Sequence, residues 1–445
     1  MTGNLDKIET IIVVMMENRS FDHLLGYLSL PPSNRSDIEG FKPGQIYQNV
    51  YNGKTYPIHE LGETNVAEDP PHERADNDLQ FGASKVSTPP FPMDGFVEAY
   101  AHKKETPKDL SMVMGYYTAK SVPMYDFLAR EFAVCDHWFA PMPCGTQPNR
   151  LMALGGESRL GDNNNFLSPN QELVYDWLNK RNIDWRSYCH GLLPFFSIMP
   201  KWQFPILKDT VLPLGSKRHF RKYSRFRADW QSKKPMPPVL FIEPEYADIL
   251  EDSPNDDHPP TPLCHGQNFI RDIYQIVTSN PARWEKTLLI ITYDEPGGFY
   301  DHVSPIPIET KAPPPDSYPP FSYSGARVPA LVVSPLIEAG TAHHENLDHT
   351  SILHLLAERF DPQHGYSPAV TARQKYLGSL SSILNRTSPR SEIPQPPSIT
   401  TAPQRSIKHE PLTENTQATC NAFQNARKTM KTTHPILWHI FQALR

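Results

Sequence analysis

Three short segments bring together side chains that can do chemistry. Glu17-Asn18-Arg19-Ser20-Phe21-Asp22-His23 sets a carboxylate beside an amide oxygen directly after an apolar run. Both are hard oxygen donors, suited to a divalent cation that must also meet phosphate oxygens, although a strand-end turn capped by Asn18 would use the same residues. Tyr293-Asp294-Glu295-Pro296-Gly297-Gly298 ends another apolar run with two adjacent carboxylates. Their mutual repulsion is best tolerated when a cation lies against both, and the paired glycines allow backbone to approach closely, so this pair reads as ligands. Pro143-Cys144-Gly145-Thr146-Gln147-Pro148-Asn149-Arg150 puts a hydroxyl at the start of a helix, with a proline in its first turn. Taken singly Thr146 is an N-cap; beside a metal its hydroxyl becomes a nucleophile, and the helix start favours an anion such as phosphate.

Histidines and a cysteine surround these segments. His72, in Asp69-Pro70-Pro71-His72, and His258, in Asn255-Asp256-Asp257-His258-Pro259-Pro260, sit in proline-stiffened loops. A near-neutral imidazole protonates a leaving alkoxide or holds a phosphoryl oxygen, whereas most loop histidines are merely solvated. His349 precedes a helix in Asp348-His349-Thr350-Ser351 and serves equally as a structural or a catalytic residue. Cys144 reads as a small buried neighbour of the site rather than a thiol nucleophile.

Placing these groups requires a sheet. Ile8 to Met16, Pro237 to Glu243, Thr287 to Tyr293 and Pro329 to Ser334 are apolar runs rich in β-branched residues with little alternation, the mark of parallel strands buried on both faces. Helical patterns fall at 96–120, 124–132, 147–154, 173–181, 265–279 and 350–360, so the chain predicts an α/β layered fold. The polar clusters follow the carboxyl ends of the first and third runs, the rim where open α/β sheets bind ligands. Proline-dense stretches at 88–92, 311–320 and 393–411 read as two ordered loops, the second flanking an apolar entrance, and a linker. Residues 413–430 and 434–444 form amphipathic helices that dock on the body or cover a membrane surface. The expected organisation is a catalytic domain at 1–380, a linker at 381–412 and a helical extension at 413–445.

Composition narrows the classes. A formal net charge of -6 gives no long-range basic field for nucleic acid, so phosphate recognition must be local. No stretch is long and apolar enough for a transmembrane segment, and the first apolar run is too short for a signal peptide; membrane contact would be peripheral. Five cysteines without a CxxC pair fit a reducing compartment, cytoplasmic, or export without a cleaved signal.

The strings ENRSFDHLLGY, TQPNRL, NDDHPP, TYDEPGGFYDHV, RVPALVVSPLI and DHTSILHLLAERF, in this order, resemble the phosphoesterase family of bacterial and plant non-specific phospholipases C and certain acid phosphatases, over about Ile8 to Phe360. The resemblance implies an alkaline-phosphatase-like α/β/α sandwich around a mostly parallel sheet. It also implies a metal site of Glu17, Asn18, Thr146, Asp294 and Glu295, holding one or more divalent ions, with zinc favoured and calcium, magnesium or manganese compatible. Thr146 would be the nucleophile, His72 and His258 catalytic residues at the phosphate, and Asn149, His302 and His349 substrate contacts. The activity implied is phospholipase C hydrolysis of a phosphatidylcholine-like phospholipid through a phosphothreonine. The alternatives are an acid phosphatase for soluble phosphomonoesters and a non-catalytic phosphate- or lipid-binding module, against which the intact acidic pairs and Thr146 argue. Where relatives carry histidine or asparagine, this chain has Pro296, and any polar role of that side chain is lost.

Overall fold

The four apolar runs become adjacent strands at the centre of one sheet. The computed structural model describes residues 4–62, 66, 68–103, 107–212, 218–247, 254–400 and 414–443. Its eight-stranded sheet comprises β1 (Thr10–Met16), β2 (Ala133–Cys135), β3 (Trp185–Cys189), β4 (Phe220–Lys222), β5 (Val239–Glu243), β6 (Thr287–Tyr293), β7 (Ala330–Val333) and β8 (Thr341–His343), in the order β8-β2-β7-β6-β1-β5-β3-β4. All pairings are parallel except those of β7, which runs antiparallel to both β6 and β2.

β1, β5 and β6 are buried almost throughout, as continuous apolarity requires when helices cover both faces. The principal helices are α1 (Arg74–Phe81), α2 (Pro123–Glu131), α3 (Thr146–Gly155), α4 (Val174–Lys180), α5 (Pro200–Val211), α6 (Leu263–Thr278), α7 (Thr350–Phe360), α8 (Glu414–Thr433) and α9 (Pro435–Ala443). Alternation along the strands assigns the layers. Val13, Met15 and Phe241 meet Arg150, Ala153, Tyr175 and Ile352 from α3, α4 and α7, whereas Ile291, Tyr293 and Leu331 meet Tyr125 of α2.

Two predicted elements change. The helix expected over 96–120 ends at Ala101, with Pro107 denying it a backbone donor, and resumes as a 3-10 turn at Leu110–Met114. The proline-rich stretch after 381 lies on the body as far as it is described: Arg271 Nε donates to Pro397 O at 2.8 Å and Tyr274 OH to Pro394 O at 2.7 Å. The linker's end at 401–412 falls outside the described residues. The helical extension docks, with Ala422 and Phe423 in the main core and Ala426, Met430, Trp438 and Phe441 in a second cluster with Leu193, Leu207 and Val211.

The consequence for the site is a matter of register. β1 and β6 are parallel neighbours with Met16 opposite Tyr293, so Glu17 and Asp294 leave the sheet side by side. Five short segments converge on this rim.

Candidate active site

Glu17 and Asp294 are bridged by a guanidinium that the sequence reading did not assign. Arg150 of α3 donates from Nη2 to Glu17 Oε1 at 2.9 Å and from Nε to Asp294 Oδ2 at 3.1 Å. Nη1 donates to the Tyr246 hydroxyl at 3.0 Å. Burial disfavours the charge, but Tyr246, Glu17 and Asp294 outweigh it and hold the guanidinium firmly protonated. The other Asp294 oxygen accepts from Asn18 N at 3.1 Å and from Glu295 N at 2.8 Å. Asn18 takes a left-handed backbone (φ 57°), which asparagine tolerates. A Cβ at Gly297 would lie 2.3 Å from the Asn18 carbonyl oxygen, so the glycine predicted to permit close approach does so against the other acidic loop.

His72 and His258 join this group. His72 Nδ1 donates to Pro70 O at 2.8 Å, and Nε2 stands 3.3 Å from both Asn18 Nδ2 and Glu295 Oε1. Burial lowers the His72 pKa, yet the Glu295 and Asp69 carboxylates reverse this and raise it above its ordinary value. His258 Nδ1 donates to Pro259 O at 2.6 Å, and its loop is tied to the first acidic segment by Glu17 N donating to Asp256 O at 2.8 Å. Arg19 adds two bonds to Asp257 O, at 2.9 and 2.7 Å.

Thr146 is buried and opens α3, one turn ahead of Arg150, so the helix that carries the hydroxyl also carries the guanidinium between the acids. Gly145, not Thr146, is the N-cap. The helix start is not wholly open to an anion, as the sequence had suggested. Gly145 N donates to Asp162 Oδ1 at 3.4 Å and Gln147 N to Asn163 Oδ1 at 2.8 Å, so the N–H groups on either side of Thr146 are taken. The strap continues: Gln147 Nε2 donates to Asn164 O at 2.9 Å, and Asn163 Nδ2 to Glu73 Oε1 at 3.4 Å. Burial and a hydrogen bond to Asp162 push the Glu73 carboxyl up to about 10. Cys144 beside it is buried, and burial with Asp162 and Glu73 nearby holds its thiol neutral.

Comparison with known proteins shows the family. The phosphoesterase family matches residues 8–362. This chain belongs to that family. It is 31% identical over 417 residues to the non-specific phospholipase C3 of Arabidopsis thaliana, covering 87% of this chain and 75% of that protein. It is 29% identical over 451 residues to phospholipase C B of Mycobacterium tuberculosis, covering 87% and 79%. Among solved structures, the phosphonate monoester hydrolase of Agrobacterium radiobacter overlays with a TM-score of 0.36 at 10% identity, over 86% of this chain and 78% of that one. As a phosphoesterase, the chain is a phosphoric ester hydrolase.

Three residues expected to contact substrate in this phosphoesterase have other duties. Asn149 is buried, and its amide staples the turn before Thr146: Oδ1 accepts from Met142 N at 3.0 Å while Nδ2 donates to Cys144 O at 2.8 Å and Gly145 O at 3.1 Å. His349 has both ring nitrogens engaged, with Nε2 donating to Asp294 O at 2.7 Å and Nδ1 accepting from Trp138 Nε1 at 3.0 Å. Burial pulls its pKa down to about 4, so it is a neutral support for the Asp294 backbone. His302 lies in a separate network, its Nδ1 2.6 Å from Asp22 Oδ2. Asp22, Asp301 and His302 come close enough to hold an ion, and Arg327 donates to Asp22 and Asp301 at 2.9 Å each.

The main rim fits a divalent cation. The Asn18 Oδ1 atom is buried without a hydrogen-bond partner, and the donor set around it is made of oxygens. Burial drives the Glu295 carboxyl well above the usual range; His72 opposes this and Asp294 adds to it, an arrangement that a cation would relieve. Arg150, Tyr246, Asp162 and Asn163 were the functional neighbours missed. Only Arg150 left a trace, as a cation four residues after Thr146 on one helix face.

Proposed function

We propose that this phosphoesterase is a phospholipase C that cleaves the headgroup phosphodiester of a phosphatidylcholine-like phospholipid with Thr146 as nucleophile. The observation that supports it most is the buried convergence at one rim of Glu17, Asn18, Asp294 and Glu295, next to the helix that Thr146 opens. Glu17, Asn18, Thr146, Asp294 and Glu295 would hold a divalent ion, with zinc favoured for its tolerance of carboxylate donors. When bound, it would lower the hydroxyl pKa and neutralise phosphoryl charge.

The chain's own residues do the rest. The Thr146 hydroxyl, deprotonated, attacks phosphorus in line; the bond from phosphorus to the glycerol oxygen breaks, and His258 gives that oxygen its proton, releasing diacylglycerol. Water then attacks the phosphothreonine from the opposite side, restoring the hydroxyl and freeing the phosphorylated headgroup. His72, whose pKa Glu295 and Asp69 raise, would supply positive charge beside the phosphoryl oxygens when protonated. Arg150 keeps Glu17 and Asp294 at fixed positions throughout. Tyr318 and Phe321, packed with Met142, Cys144 and Met152, put an apolar wall against the turn before Thr146, which suits a substrate with acyl chains.

The names of the plant and mycobacterial relatives support the lipid reading. The test is a Thr146→Ala variant assayed on phosphatidylcholine and on p-nitrophenyl phosphate. Loss of all turnover with metal content retained is expected; full activity removes Thr146 as nucleophile, and wild-type turnover of the monoester alone defeats the lipid substrate.

A further inference from the structure

We propose that Phe204, Ile436 and Ile440, bordered by Lys208 and Lys431, form a surface that docks this enzyme on an anionic lipid bilayer; the proposal rests on the phospholipase reading above. α9 carries no charged residue, yet only one of its faces is covered. Trp438 and Phe441 sink into the cluster with Leu193 and Leu207, while Ile436 is 76% exposed and Ile440, one turn on, 38%. Buried on one side only, the helix leaves Ile436 and Ile440 as a second apolar stripe wanting cover, beside the exposed His439 and Gln442. Phe204 of α5, 46% exposed, extends that face, its ring 5.1 Å from His434 at the junction of α8 and α9.

Charge identifies the occupant. Lys208 is exposed one turn after Phe204, and Lys431 is exposed three residues before His434. Across the described side chains of α5, α8 and α9, Lys201 is paired with Asp176 Oδ2 at 2.6 Å, which leaves Lys208, Arg427, Lys428 and Lys431 against the single acid Asp209. Asp209 is turned to other work, accepting from His219 N at 2.8 Å and Phe220 N at 3.3 Å. In a chain of net charge -6, this is a local basic border around exposed apolar side chains. Such a surface suits an anionic membrane. A second copy related by a two-fold axis would set this border against itself and repel.

The placement also fits the chemistry. Asn421 and Asn425 of α8 donate to Asn165 at 2.8 and 2.9 Å, and Asn165 follows the Asp162-Asn163-Asn164 strap that holds the Thr146 turn. Phe166, next along and 72% exposed, points the same strap's apolar end to solvent. Through α8, the helix pair that carries the docking surface is thus tied to the strap of the Thr146 turn.

The test is sedimentation of the full chain with vesicles of phosphatidylcholine alone and of phosphatidylcholine mixed with phosphatidylglycerol. F204S/I436S/I440S is expected to lose about tenfold or more in partitioning to both. K208Q/K431Q is expected to lose about tenfold or more on the anionic vesicles at low salt and to bind the neutral ones as wild type does. Both should keep the wild-type melting temperature and hydrolyse a short-chain, monomeric phosphatidylcholine unchanged. Undiminished vesicle binding by both variants overturns the proposal. So does a wild-type dimer that the apolar triple variant converts to monomer while its vesicle binding persists. If the wild type hydrolyses no phospholipid while the variants still lose binding, the docking surface stands and the substrate reading falls.

Discussion

Glu17 and Asp294 are both buried and both acidic, and what lets them leave adjacent strands is Arg150, with one nitrogen on each. Removing one partner of a buried ion pair leaves uncompensated charge, so Arg150→Met is expected to cost about 3–5 kcal/mol in urea unfolding. A cost near zero would mean that the acids are neutral without it. The His302 network makes a different prediction. Burial lowers the His302 pKa, but Asp22 more than offsets this, and the folded ring holds its proton above the ordinary 6.5. That stabilisation is complete below pH 6.5 and is lost as pH rises through the raised folded value. The melting deficit of His302→Gln should therefore shrink steadily on the alkaline side, and a deficit that stays constant there contradicts the ion pair.

Among the elements, α3 shows how the helix that Thr146 opens can be anchored from outside. Asn163 accepts from Gln147 N at 2.8 Å in the manner of a cap, though it belongs to a loop sixteen residues on. Asn163→Ala should cost about 1 kcal/mol, as lost caps do, and lower kcat more than it raises KM, because the turn bearing Thr146 is loosened. Asn163→Ser, which still presents an oxygen and adds no charge beside Glu73 and Asp162, should recover part of the rate; equal loss in both variants would refute the cap. This strap was illegible beforehand because polar loop residues in Gly161-Asp162-Asn163-Asn164-Asn165 look like any solvated turn. The long strands were legible, since burial on both faces imposes an apolar run. The three-residue strands β2, β4 and β8 were not, being too short to carry any period. The antiparallel run of β7 was equally hidden, because direction leaves no mark on composition.

At the scale of the whole molecule, the polar residues flanking strand ends announced the rim, since adjacent carboxylates after buried strands need a reason. Their partners across the fold did not announce themselves: His349 reads equally as structural or catalytic in sequence, and in the fold it supports the Asp294 backbone. Contacts between residues far apart in the chain are set by topology, which motifs do not encode. The bridging guanidinium has one more consequence, for the order in which the protein is assembled. An internal counterion that arrives with the polypeptide lets the acidic strand tips fold before any metal is captured. Stripping the ion with a chelator should therefore silence hydrolysis while leaving the thermal melt cooperative. A chelated protein that unfolds outright would mean that the ion, and not Arg150, holds the rim shut.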